Sequence, residues 1–163
     1  MTFINYAKTA GLFLGIATAG ITIFTFAKPY FSCSGHDLTG RWHLQTTVEK
    51  VGAEQHADEA GNTSEFEVDL VQDCKQVTGL GIKTRYAGNH TTGSGATVLQ
   101  FDGARLSRGE FNINFVESWP GSDKLSNGTL KITLEHPLDK LTGTFRVAFA
   151  QIQGRAVLTR LQD

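Results

Sequence analysis

The sequence predicts an all-β protein: an antiparallel up-and-down barrel of about eight strands, preceded by one N-terminal transmembrane helix. Three observations carry this. Eighteen glycines against three prolines, with Thr, Val, Ile and Phe abundant, favour short strands and tight turns over helices. Past residue 30, apolar and polar residues alternate with the period of two that a half-buried strand requires. A branched aliphatic residue followed by Thr-Gly recurs three times, at Leu38-Thr39-Gly40, Val77-Thr78-Gly79 and Leu141-Thr142-Gly143.

Residues 1–30 form a membrane anchor or signal segment and residues 31–163 the barrel domain. Thr9 to Ala27 is uncharged and ends at Lys28-Pro29; its length, about 19 residues at 1.5 Å rise, just spans a bilayer core. Gly11, Gly15 and Ala19 recur every fourth residue, so a retained helix carries a small-residue face for packing on itself or on a partner's helix. A cleaved signal peptide is the competing reading, because Lys8 supplies a basic start and Thr25-Phe26-Ala27 a cleavage site. Lys8 lies on one flank and Lys28 and Arg41 on the other, so charge leaves the orientation near a tie. The expectation is a single-pass, signal-anchored membrane protein with its barrel extracytoplasmic, in a periplasm or outside the cell.

The strands follow in order. Trp42, Leu44, Thr46 and Val48 share one face of the first run, and Phe66, Val68 and Leu70 one face of the second. The run Gln76–Tyr86 follows Cys74. Thr97, Leu99 and Phe101 alternate with Val98 and Gln100; Phe111, Ile113 and Phe115 line the next run, then Leu130, Ile132 and Leu134. Phe145, Val147 and Phe149 share a face, and Gly154–Leu161 ends the series. The segments between are rich in Gly, Asn and Asp, as turns require, and hold three glycosylation sequons at Asn62, Asn89 and Asn127. Closing first strand on last removes both exposed edges. The repeated Thr-Gly then marks strand starts where the chain bends, and the large residue after it, Trp42 or Phe145, can plug one end.

These residues also carry a resemblance. Asp37–Gln45, "DLTGRWHLQ", resembles the Gly-x-Trp opening of lipocalin and avidin-type calycin barrels, and Lys75–Tyr86 is similar to an avidin-like second hairpin. The resemblance implies that Trp42 packs across a closed end and that the mouth binds a small, often apolar, ligand without chemistry. The polar ligand set of the biotin binders is not recognisable, so their specificity does not carry over. A more distant likeness is to the membrane-tethered barrel effectors of bacterial cyclic-oligonucleotide antiphage systems. Those usually have two membrane segments where this chain has one.

Composition excludes several roles. Fifteen Lys and Arg against sixteen Asp and Glu leave a formal charge of −1, so no field draws a nucleic acid polymer. No HExxH, nucleophile elbow or phosphate-cradling loop is present, and Gly79, Gly81 and Gly88 precede no helix. His36, His43, His56, His90 and His136 are scattered away from metal-ligand spacing and read as surface imidazoles. The chain is therefore expected to be no enzyme and to need no metal or cofactor. Cys33 and Cys74 have no metal spacing; they are a disulfide, stabilising by ~4 kcal/mol in an oxidising compartment, or two unrelated thiols.

Glu67, Asp69, Lys131, Thr133, Arg146 and Arg155 alternate with apolar neighbours and should face water, leaving an interior of Leu, Val, Ile and Phe, either packed or hollow. Lys83, Arg85, Arg105 and Arg108 are the clustered cations, read as a solvated face or as a phosphate site. Trp119 with Tyr86 can form an aromatic mouth, so the expected ligand set is Trp42, Tyr86, Arg85, Phe111 and Trp119. The expected function is a non-catalytic, membrane-anchored module that binds a small apolar ligand or a protein partner. One alternative is a cytosol-facing cyclic-oligonucleotide sensor that oligomerises through its helix. Another is a structural accessory subunit of a larger membrane complex.

Overall fold

The computed structural model describes residues 37–162, apart from 92–95, 108, 122, 124 and 136–138. The expected transmembrane segment with Gly11, Gly15 and Ala19, and Cys33 of the expected disulfide, lie outside the described residues. Among the described residues no helix is long and apolar enough to cross a membrane.

Alternation becomes strand wherever the sequence shows it. The strands are β1 (Gly40–Val51), β2 (Thr63–Asp73), β3 (Gln76–Tyr86), β4 (Asn89–His90), β5 (Val98–Ser107), β6 (Glu110–Ser118), β7 (Leu125–Glu135), β8 (Lys140–Val147) and β9 (Ile152–Arg160). A 3-10 helix, Glu54–Glu59, lies between β1 and β2. Each long strand pairs antiparallel with its neighbours, β9 with β1 included, so the eight long strands close into one barrel; β4 is a two-residue bridge on β3. No long strand is left with an unpaired edge.

Inward and outward residues follow the sequence pattern on most strands. Trp42 and Leu44, Phe66, Val68 and Leu70, and Phe111, Ile113 and Phe115 are buried, while Glu67, Asp69, Lys131, Thr133, Arg146 and Arg155 face water. Strand β3 differs: Leu80 and Ile82 are 58 % and 52 % exposed, and Gly79 and Gly81 point inward instead. A Cβ on Gly81 would meet Val68 at 3.1 Å and Phe101 at 3.2 Å, so large neighbours fill the space beneath this strand.

The three Thr-Gly repeats meet at one end, where the barrel is closed. Leu38, Val77 and Leu141 are completely buried there around Trp42. Gly40 begins β1 at φ +134°, a conformation that a side chain would strain. A Cβ on Gly143 would run into the Lys131 carbonyl oxygen, so only a glycine fits there. The Trp42 indole Nε1 donates to the Leu38 carbonyl at 2.8 Å, and the Arg160 guanidinium carbon sits 4.5 Å from the Trp42 ring. Arg160 also donates to the backbone oxygens of Thr39 (2.9 Å) and Asp37 (2.8 Å), holding the segment before β1 across the end of β9. Trp42 therefore plugs this end. Phe145 does not; it lies farther along the barrel, on a cavity wall. Phe149, expected on a strand face, sits exposed in the β8–β9 turn, and Asn127, expected in a turn, lies within β7.

Candidate functional site

The opposite end of the barrel is hollow. A cavity of about 400 Å³ opens where β1, β3, β6 and β8 finish. The interior is thus packed at one end and hollow at the other. Its deep layer is apolar, with Leu44, Phe66, Leu99, Phe115 and Phe145 on the wall. Two residues closer to the mouth, the same strands present Thr46, Ser64, Thr97 and Glu117. The interior is mainly Leu, Val, Ile and Phe, as expected, and the same period of two keeps these four polar positions inward near the mouth.

An ion pair lies on the inner wall in this layer. Lys83 Nζ lies 2.5 Å from Glu117 Oε1, with side chains only 11 % and 13 % exposed. Their strands are not neighbours, because β5 runs between β3 and β6, so the pair bridges over it. Lys83 is held by its backbone: its N–H donates to Thr97 O at 2.9 Å and its carbonyl accepts from the Thr91 hydroxyl at 3.0 Å. The ammonium also lies 5.3 Å from the Phe66 ring centre and 5.4 Å from that of Tyr86, within cation–π range.

A bulge decides which residue follows Lys83 at the cavity. Phe66 pairs with Lys83 and Glu65 with Arg85, which leaves Thr84 as the extra residue in β3. The phase shifts by one, so Arg85 turns to the outer wall and Tyr86 reaches the cavity rim. Asn62 Nδ2 donates to the Tyr86 hydroxyl at 3.3 Å and to the Asp58 carbonyl at 3.3 Å, tying the tyrosine to the loop after β1. From that loop His56 and Glu59 also reach the rim, joined by a 2.8 Å hydrogen bond. Across the mouth, Phe149 meets the His56 ring edge-on at 5.9 Å. His56 is thus a rim residue, where its sequence context suggested only a surface imidazole.

The five residues expected at a ligand separate into three places. Tyr86 and Trp119 line the cavity together. Trp42 and Phe111 are fully buried toward the closed end and do not line it. Arg85 lies outside, with Glu65 at 3.8 Å and His90 at 3.2 Å. Of the four expected cations, the three described do not gather: Lys83 faces the lumen, Arg85 the outer wall, and Arg105 stands at the far end of β5; Arg108 lies outside the described residues. Sequence reasoning missed Glu117 and the inward direction of Lys83. The available signal was the inward phase of β6, since Phe111, Ile113, Phe115 and Glu117 alternate in one series.

Titration is perturbed at the closed end. Hydrogen bonds from the Thr39 side chain and backbone, with the Arg160 charge adding to them, hold the Asp37 carboxyl below its usual range. The Thr142 hydroxyl does the same for Glu135, with help from Lys140. Among the described residues no three potential ligands converge on a metal position. Comparisons with protein-family models, with curated proteins and with solved structures find no match to this chain. The closed eight-stranded antiparallel architecture is consistent with the calycin-type barrel that the resemblance led us to expect.

Proposed function

We propose that this protein is a non-catalytic, membrane-anchored binding module that takes one small, largely apolar ligand into its barrel mouth. The observation that carries the reading is the cavity: its size lies within the range of small-molecule sites, its deep wall is apolar, and a few polar groups converge near its opening. Tyr86 and Trp119 supply an aromatic rim suited to a flat ligand. The uncharged run Thr9–Ala27 supports the anchor. A Cys33–Cys74 disulfide fits the same setting. Gln72 accepts from the Leu38 N–H at 3.0 Å and donates to the Cys74 carbonyl at 2.7 Å, which brings the chain preceding β1 beside the β2–β3 turn. Among the described residues no cysteine is a free thiol. An extracytoplasmic barrel is the placement in which that disulfide would persist.

The test is titration of the full chain, in lipid nanodiscs, with the uncharged dye N-phenyl-1-naphthylamine, read by energy transfer from tryptophan. Saturable binding is expected, and Thr97→Phe, which places a ring in the cavity, should abolish it. Unsaturable uptake that is the same in Thr97→Phe would overturn the reading. Labelling of intact cells with an impermeant thiol reagent tests the placement: reaction only after reduction is expected, and free thiols protected until lysis would put the barrel in the cytosol.

A further inference from the structure

The Lys83–Glu117 pair narrows the ligand class. We infer that the cavity selects an uncharged ligand with an aromatic body and, on one edge, a hydrogen-bond donor beside an acceptor, as in a carboxamide, a lactam or a ureide. The inference rests on the ligand-binding reading and deepens it.

Three observations carry it. The first is charge. The two groups neutralise each other inside a wall of phenylalanines, so an anionic or cationic ligand would bring an uncompensated charge into a partly desolvated lumen. The second is unused hydrogen-bonding capacity. Among the described residues the ammonium has one acceptor, Glu117 Oε1, although it carries three donors; the carboxylate has one donor, although it has two oxygens. Phe66 and Tyr86 offer the ammonium ring faces and steady it where it stands, without filling its N–H positions as an oxygen would. A ligand carbonyl can accept from Lys83 while the adjacent ligand N–H donates to Glu117, and the ion pair stays intact. The third is the company of the pair. The hydroxyls of Thr46, Ser64, Thr97 and Ser126 in the same layer both donate and accept, which suits neutral polar groups, and Tyr86 and Trp119 flank the opening with aromatic planes.

The experiment displaces N-phenyl-1-naphthylamine from the full chain in nanodiscs with four matched probes: 2-naphthamide, 2-naphthoate, 2-(aminomethyl)naphthalene as its ammonium, and 2-ethylnaphthalene. The amide should bind about ten-fold more tightly than the hydrocarbon, the effect of one well-made hydrogen-bonded edge, and both ions no more tightly than the hydrocarbon. In the double variant Lys83→Met/Glu117→Leu the amide should lose that advantage while 2-ethylnaphthalene still binds. Equal affinity of amide and hydrocarbon, or preference for the naphthoate or the ammonium, would overturn the inference and leave the ligand-binding reading standing. Failure of the dye and of every probe to bind would instead overturn both.

Discussion

Replacing Lys83 by Met leaves the Glu117 carboxylate, 13 % exposed, without its cation in a lumen walled by Phe66 and Phe115. Removing one partner of a buried pair costs roughly 3–5 kcal/mol, because the remaining charge stays desolvated. The cavity opens to water at one end, so the low figure, ~3 kcal/mol, applies; in a barrel of this size it lowers the melting temperature by roughly 10 °C. Lys83→Met/Glu117→Leu removes both charges and should return to within ~1 kcal/mol of the parent. The molecule contains its own control. Arg155 Nε and Glu49 Oε1 are also 2.5 Å apart, but their side chains are 73 % and 43 % exposed. Water screens that pair, and Arg155→Met should cost only ~0.5 kcal/mol. Urea unfolding of the parent, the single variants Lys83→Met and Glu117→Leu, and the double variant, read by far-ultraviolet circular dichroism, gives the coupling energy directly. If Lys83→Met costs no more than Arg155→Met, the pair is effectively solvated and the argument from desolvation collapses, together with the selection against charged ligands drawn from it.

Three further outcomes are expected. Trp42→Ala removes a fully buried indole and leaves the Leu38 carbonyl without its donor, at a cost of about 4 kcal/mol, whereas Trp119→Ala at the half-exposed rim should cost under ~1 kcal/mol yet weaken dye binding; equal costs would show that the two ends are packed alike. Gly143→Ala drives a Cβ into the Lys131 backbone and should cost about 3 kcal/mol, while Gly61→Ala, at φ +84° with open space around it, should cost ~1 kcal/mol; comparable unfolding midpoints would refute the close strand approach. The third outcome concerns pH. The folded pKa of Asp37 lies below its unfolded value, so its contribution is present above about pH 4 and is lost as pH falls through the folded pKa. The stability difference between the parent and Asp37→Asn should therefore exist at pH 7 and shrink by pH 3; a difference unchanged across that range would exclude the ionised carboxylate as its source.

Much of the barrel is written in alternation. The inward series of β1, β2, β6 and β7 can be read from residue type, because burial on one face of a pleated strand repeats every second residue whatever the strand pairs with. Leu38, Val77 and Leu141 could likewise be grouped from their shared Thr-Gly context, and all three pack at the closed end. Tyr86 and Trp119 were legible as a pair because large aromatics beside turns must come from strand ends, and both strands end at the mouth.

Other features depend on closure of the sheet. Strand β3 carries its aliphatics Leu80 and Ile82 outside and its glycines inside, the reverse of what hydrophobicity would assign, because Phe101, Val68 and Leu70 occupy the room beneath it. The extra residue at Thr84 exchanges Arg85 for Tyr86 at the rim, and a bulge is a property of two paired strands. Nothing local joins Lys83 to Glu117, which stand on strands separated by β5; they meet because a closed barrel turns the inner faces of all its strands toward one space. Which residues face inward is a property of the strand's own sequence in β1, β2, β6 and β7, whereas which inward residues touch, and which end Trp42 closes, follows from closing eight strands around one axis.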